Sequence, residues 1–242
     1  MTRLLNVENL VFSWPGADKP LLEIESFAVN QGERIFLQGP SGSGKSTLLN
    51  LIGGVLLPQS GTIEVLGQDL VSLSSLARDK FRGDHMGFIF QMFNLLPYFS
   101  AIENVTLPCE FSNQKLNNVR ANAESLHAEA SRLLTELKLE PSLIQHKNVT
   151  QLSVGQQQRV ATARALMGRP ELIIADEPTS ALDSDIRDSF IKLLFNECQQ
   201  AGATLIFVSH DSVLGEQFDR VVSLNEINNA APSEQQEREI VL

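Results

Sequence analysis

No stretch of this sequence approaches the run of about 18 apolar residues needed to cross a bilayer. The opening residues, Met1-Thr2-Arg3-Leu4-Leu5-Asn6-Val7-Glu8, lack the apolar core of a secretory leader. The chain is therefore expected in the cytoplasm, with any work at a membrane left to a separate partner. Cysteine is scarce: only Cys109 and Cys198 occur, far apart and outside any Cys-x-x-Cys spacing. That points to two packed, reduced thiols, with a metal site or a disulfide as the minor reading. Positive charge is also short, with 19 Lys and Arg against 29 Asp and Glu and a net charge of −10. Such a domain repels phosphate backbones and anionic lipid at long range, which argues against nucleic acid as a partner and against direct electrostatic adhesion to membranes.

What is present fits a globular chain. The 242 residues, 43% of them hydrophobic and 20% charged, suffice for one large domain or a core with a small lobe. Leu4–Phe12 and Leu21–Val29 read as strands, separated by the turn Pro15-Gly16-Ala17-Asp18. Glu33–Gln38, Gly61–Val65, Met86–Phe90, Leu172–Ala175 and Thr204–Val208 read as further strands. The all-apolar Leu172-Ile173-Ile174-Ala175 has the character of a parallel sheet covered on both faces. From Asn117 to Leu139 the pattern predicts one helix, with Leu126, Ala130, Leu133, Leu134 and Leu137 on one face and Pro141 as its stop. Asp183 is placed to cap a helix bearing Ile186, Phe190, Leu193 and Leu194. Alternating buried strands and helices imply an α/β parallel sheet. The strandless stretch from Phe93 to about Val154 reads as an inserted lobe, and the residues after Asn228 as a polar tail.

One motif carries chemistry without help from any other. Gly39-Pro40-Ser41-Gly42-Ser43-Gly44-Lys45-Ser46-Thr47 follows a strand, precedes the helical Leu48, Leu49, Leu51 and Ile52, and matches Gly-x4-Gly-Lys-Ser in full. Glycines let such a loop curl until several backbone N–H groups face phosphate oxygens. The following helix adds the positive end of its dipole. Lys45 brings a charge to the β and γ phosphates, and Ser46 an oxygen to Mg²⁺. Asp176 ends an apolar strand and Glu177 follows it. A carboxylate pair there can hold Mg²⁺ through water and orient the attacking water as a general base. His210, after the strand Thr204–Val208, is placed for a γ-phosphate contact.

Leu152-Ser153-Val154-Gly155-Gln156-Gln157-Gln158-Arg159 resembles the signature motif of ABC ATPases. The other motifs of that family stand around it in order: the phosphate loop, Gln91 after its strand, Asp176-Glu177, Ser180-Ala181-Leu182-Asp183, and His210. The resemblance covers about residues 4 to 225. It implies a P-loop NTPase (RecA-like) core, an N-terminal antiparallel β subdomain and an inserted α-helical lobe. The single ATPase domain would span 1–228, with the core about 1–92 and 156–228, the lobe about 93–155 and a polar tail at 229–242.

It also implies roles for individual positions. Trp14 would stack on adenine. Gln91 would reach Mg²⁺ and the attacking water and report to the transporter's membrane part. Glu177 would be the general base, His210 the γ-phosphate switch, and Asp183 a bridge between subunits. ABC ATPases act as pairs around two ATP molecules, so Ser153, Gly155 and Gln156 would contact nucleotide held by the opposite copy. Val154 departs from the family pattern, which places glycine there; a β-branched residue disfavours positive φ.

Asp69–Leu73, Met86–Pro97 and Ala101–Pro108 resemble the subgroup of macrolide-exporter and lipoprotein-releasing ATPases, with a cell-division relative nearby. Its members serve a permease, which would dock near Phe93–Pro108 at Phe93, Leu95, Leu96, Tyr98 and Phe99. The chain is thus expected on the inner face of the membrane through that permease. Rival readings are an ABC ATPase with a non-transport role in cell division or regulation, and an ATP sensor without turnover.

Overall fold

The computed structural model describes residues 2–140, 147–180 and 184–230, the side chains of 184–186 excepted. They fall into two compact units, Met1–Arg82 with Ile206–Leu242, and Gly83–Leu205.

In the first unit, β1 (Arg3–Phe12), β2 (Leu22–Asn30), β3 (Arg34–Gln38), α1 (Lys45–Ile52), β4 (Ser60–Val65), β5 (Gln68–Asp69) and α2 (Ser75–His85) follow one another. β1 lies between β2 and β4, antiparallel to both, with Val7 opposite Phe27 on one side and Ile63 on the other. With β5 at its edge this gives a four-stranded sheet in the order β2-β1-β4-β5. Leu5, Val7, Leu10, Ile24, Phe27 and Val29 are buried in it. The sheet is the antiparallel β subdomain that the resemblance implies.

The second unit begins with β6 (Met86–Ile89). It continues through α3 (Ala101–Thr106), α4 (Pro108–Phe111), α5 (Asn113–Asn122), α6 (Leu126–Glu136), α7 (Val154–Leu166), β7 (Leu172–Asp176) and α8 (Ser184–Ala201). β6 and β7 pair in parallel, Met86 opposite Leu172 and Ile89 opposite Ala175. Leu172–Ala175 are buried throughout, as a strand covered on both faces requires.

The single helix expected over Asn117–Leu139 is two helices. Ala123 and Ser125 are extended, and the Ser125 hydroxyl accepts from the Ala128 N–H at 3.0 Å, capping α6. The expected apolar face is present on α6, where Ala130, Leu133 and Leu134 are buried. Its proposed stop, Pro141, lies outside the described residues. Cys109 and Cys198 are both buried.

β8 (Thr204–Val208) returns the chain to the first unit, followed by a 3₁₀ turn over Ser212–Gln217, β9 (Arg220–Ser223) and α9 (Leu224–Ile227). β9 runs parallel to β3, Ile35 opposite Arg220 and Gln38 opposite Ser223. Around them Phe36, Phe207 and Phe218 form an aromatic core with ring centroids 5.1 to 6.2 Å apart. The Arg34 guanidinium on Asp219 ties β3 to the residue before β9, and holds that carboxyl below its usual range. Beyond α9, Asn228 accepts from the Glu23 N–H at 2.8 Å and donates to the Leu21 carbonyl at 3.0 Å.

Candidate functional site

The strand–loop–helix that the phosphate motif demands is present: β3 ends at Gln38 and α1 begins at Lys45. Gly44 caps α1 with φ 99, and Gly42 has φ 75, both in the left-handed region that a side chain rarely enters. Gly44 is confined in a second way, since a Cβ there would meet Leu22 Cδ2 at 2.9 Å. The loop wraps tightly on itself. A Cβ on Gly39 would sit 2.9 Å from Ser43 Oγ, and Ser43, 2% exposed, keeps that oxygen without a hydrogen-bond partner among the described residues. Lys45 Nζ donates to the carbonyls of Gly39 and Pro40, both at 2.8 Å, so its charge is folded over the mouth of the loop. Pro40, Ser41, Gly42 and Ser46 are exposed, whereas Thr47 is packed beneath with Leu48 and Leu49.

Trp14 and His210 belong to the same unit. Trp14 is 47% exposed and meets Phe12 edge-on, ring centroids 5.2 Å apart. One face of an indole held this way stays open to stacking. His210 is exposed, two residues past the buried end of β8 and directly after the buried Ser209.

The Gly83–Leu205 unit carries the carboxylates and the signature. Because Ile89 pairs in parallel with Ala175, Gln91 and Glu177 each lie two residues beyond that pair, leaving adjacent strands at the same carboxyl end. That edge is where open α/β sheets place their ligands. Asp176 is the last residue of β7. Glu177 has φ 47, a left-handed conformation that a non-glycine residue holds only when its surroundings impose it. Gln91 is exposed, inside a turn closed by the Phe93 N–H on the Phe90 carbonyl at 2.9 Å.

Ser153 caps α7 through a reciprocal box: its hydroxyl accepts from the Gln156 N–H at 3.3 Å, and Gln156 Oε1 accepts from the Ser153 N–H at 2.9 Å. Gly155 stands in the first turn with open space where a side chain would be. The departure at Val154 has a simple resolution. Val154 is the first helical residue, half exposed and without positive φ, so glycine's freedom is not needed there. Asp183 lies outside the described residues.

In chemical kind, the Ser46 hydroxyl of the first unit and the Gln91 amide oxygen and Asp176 carboxylate of the second are each hard oxygen donors of the sort Mg²⁺ takes. The loop suits phosphate, through its left-handed glycines and the helix start behind it. Two residues to which the sequence assigns no role of their own stand beside the Glu177 and Gln91 segments. Gln158, 1% exposed, donates to the Pro178 carbonyl just after Glu177, and Arg164 donates to the carbonyls of Phe93 and Asn94 just after Gln91. Their acceptors are backbone carbonyls, which no residue pattern reveals.

Among proteins of known kind, the family model described as ABC transporter matches residues 22–180. The chain is 43% identical over 206 residues to the lipoprotein-releasing system ATP-binding protein LolD of Anaeromyxobacter dehalogenans, covering 85% of this chain and 82% of the relative. It is 40% identical over 223 residues to LolD of Syntrophotalea carbinolica, covering 91% and 94%. The macrolide export ATP-binding/permease protein MacB of Salmonella typhimurium is 35% identical over 243 residues. There the match takes in 99% of this chain but spans only 36% of the relative's length. The dimeric bacterial ABC transporter cassette MJ0796 superposes with a TM-score of 0.79 at 34% identity, covering 90% of this chain and 93% of that one. A dimeric post-hydrolysis state of the same cassette, bound to ADP and Pi, gives the same values. With the motifs set at the ends of their strands and the match running through most of its length, the chain belongs to the ABC transporter family, in the subgroup of lipoprotein-releasing and macrolide-exporting ATPases.

Proposed function

We propose that this chain binds ATP between two copies of itself, hydrolyses it, and thereby drives a separate membrane permease that extracts or exports a substrate of the cell envelope. The observation that carries this reading is the presence in one chain of an intact phosphate loop, its glycines left-handed, and of Glu177, held in left-handed backbone at the carboxyl end of a buried strand. Relatives named as the ATP-binding protein of a lipoprotein-releasing system support the envelope role.

The chemistry follows from the residues. The loop N–H groups and Lys45 cradle the β and γ phosphates and favour charge that spreads onto the γ oxygens. Ser46, Asp176 and Gln91 are the residues that would hold Mg²⁺, which would supply positive charge to offset the negative charge of the phosphates. Glu177 takes the proton of the attacking water, His210 faces the γ-phosphate, and Trp14 stacks on adenine. From the other copy, Ser153, Gly155 and Gln156 present a helix start to the same phosphate, and Asp183 bridges the copies. ATP thus favours the paired state and its loss favours separation.

Permease docking falls to Phe93–Pro108. Tyr98 is 88% exposed and Leu96 41%, so apolar surface stands open next to the Gln91 turn. No helix among the described residues is long and apolar enough to cross a membrane.

The test is ATP turnover and oligomeric state of the purified chain. Glu177→Gln stops turnover while ATP-dependent pairing increases, and Lys45→Ala loses both. Persistent turnover in Glu177→Gln would overturn the assignment of the base.

A further inference from the structure

Phe93 and Asn94 stand next to each other in left-handed backbone, φ 58 and 48. Neither is glycine, and two such residues in succession persist only where something holds them. The holder is Arg164. Its Nη2 donates to the Phe93 carbonyl and its Nη1 to the Asn94 carbonyl, each at 2.6 Å. Phe93 is also the last residue of the turn closed on Phe90, in which Gln91 and Met92 are the central pair. The guanidinium therefore grips the far end of the turn that carries Gln91.

Arg164 sits in the last turn of α7, whose cap is Ser153. Between them Gln158 reaches the carbonyl of Pro178, next to Glu177. Beside Arg164, α7 meets β6 backbone to backbone: a Cβ on Gly87 would lie 2.0 Å from the Ala165 carbonyl oxygen. One helix of 13 residues, about 20 Å long, thus touches the signature start, the Glu177 segment and the Gln91 turn. Burial lowers the Arg164 pKa, yet an arginine stays charged, and charged donors make the stronger hydrogen bonds.

We propose that Arg164 is a positioning residue for ATP hydrolysis: it fixes the Gln91 turn to the signature helix, so that a shift at Ser153 is carried to Gln91 and to the exposed segment beyond it. This rests on the reading of Gln91, Glu177 and Ser153 as parts of the ATP site. Arg164 itself touches no nucleotide; it acts through the two carbonyls.

The experiment compares the full chain with Arg164→Lys, with Arg164→Lys combined with Asn94→Gly, and with Glu177→Gln. Turnover against ATP concentration and thermal unfolding are measured for each. One ammonium cannot span two carbonyls in a fixed fork. Arg164→Lys is therefore expected to lower kcat about tenfold with KM within about twofold. Asn94→Gly, which adopts left-handed backbone freely, is expected to bring kcat back to within about threefold of the unaltered chain. Wild-type kcat in Arg164→Lys overturns the proposal. So does a loss that Asn94→Gly leaves uncorrected, whether in turnover or, where Arg164→Lys is insoluble, in folding: Arg164 is then a packing residue. Turnover that survives Glu177→Gln counts against the site assignment and not against the Arg164 clamp.

Discussion

Arg132 Nη2 donates to Glu197 Oε2 across 3.1 Å, and the same guanidinium holds Glu129 at 2.9 Å, so α6 and α8 share one cation between two buried carboxylates. Glu129 and Glu197 are 5% and 4% exposed. The pairing holds the Arg132 pKa above the usual arginine range, chiefly through the hydrogen bonds that Arg132 donates to Glu129. Removing the cation leaves two like charges away from water. Arg132→Ala is expected to lower stability by about 2 kcal/mol, a value set below that for a fully buried pair because the arginine head is partly solvated. Urea unfolding measures it, and adding Glu197→Gln is expected to recover part of the loss.

Lys115 supplies a pH-dependent term. It is 3% exposed, with Nζ donating to the Met86 carbonyl at 2.7 Å. Burial pushes its pKa down from 10.5 to about 8, against the opposing pull of Cys109, Asp84 and Glu171. A lysine depressed in the folded state binds fewer protons there than in the unfolded chain between those two values. Its contribution to stability therefore rises as pH climbs from about 8 toward 10.5. The difference in unfolding free energy between the unaltered chain and Lys115→Met is expected to grow by a figure on the order of 3 kcal/mol over that window. A flat difference would mean that the ammonium keeps its ordinary affinity for protons.

Val154 bears on the signature. At the first position of α7, half exposed, it needs no special backbone. Val154→Gly is expected to leave ATP turnover unchanged or higher, at a stability cost below about 1 kcal/mol. A collapse of ATPase activity would show that the side chain itself contributes to nucleotide contact.

Much of this was visible in the order of residues because local chemistry fixes it. A loop of glycines between an apolar strand and an apolar helix has few alternatives, and Thr204–Val208 is an apolar-rich run between the turn at Gly202 and the polar Ser209-His210. The break between α5 and α6 was hidden because the apolar periodicity runs on past it, and the capping by Ser125 becomes plain only once Ala128 is seen to donate to it. Lys115 sits in a polar stretch of sequence, yet it is buried against β6. Arg164 and Gln158 were illegible for another reason. They recognise backbone carbonyls of Phe93, Asn94 and Pro178, and a carbonyl leaves no mark on residue identity.

The clip at Asn228 has a mechanical consequence. Its side chain fastens to Leu21 and to the Glu23 N–H, the backbone on either side of the start of β2, and the Asn229 N–H adds a bond of 2.7 Å to the Glu23 carbonyl. Tension applied beyond residue 230, by a tether or a fused neighbour, would load this three-bond clasp as shear against β2 before it reached β9. The clasp would act as a strain relief, sparing the strand that runs beside β3 and so the loop that β3 delivers.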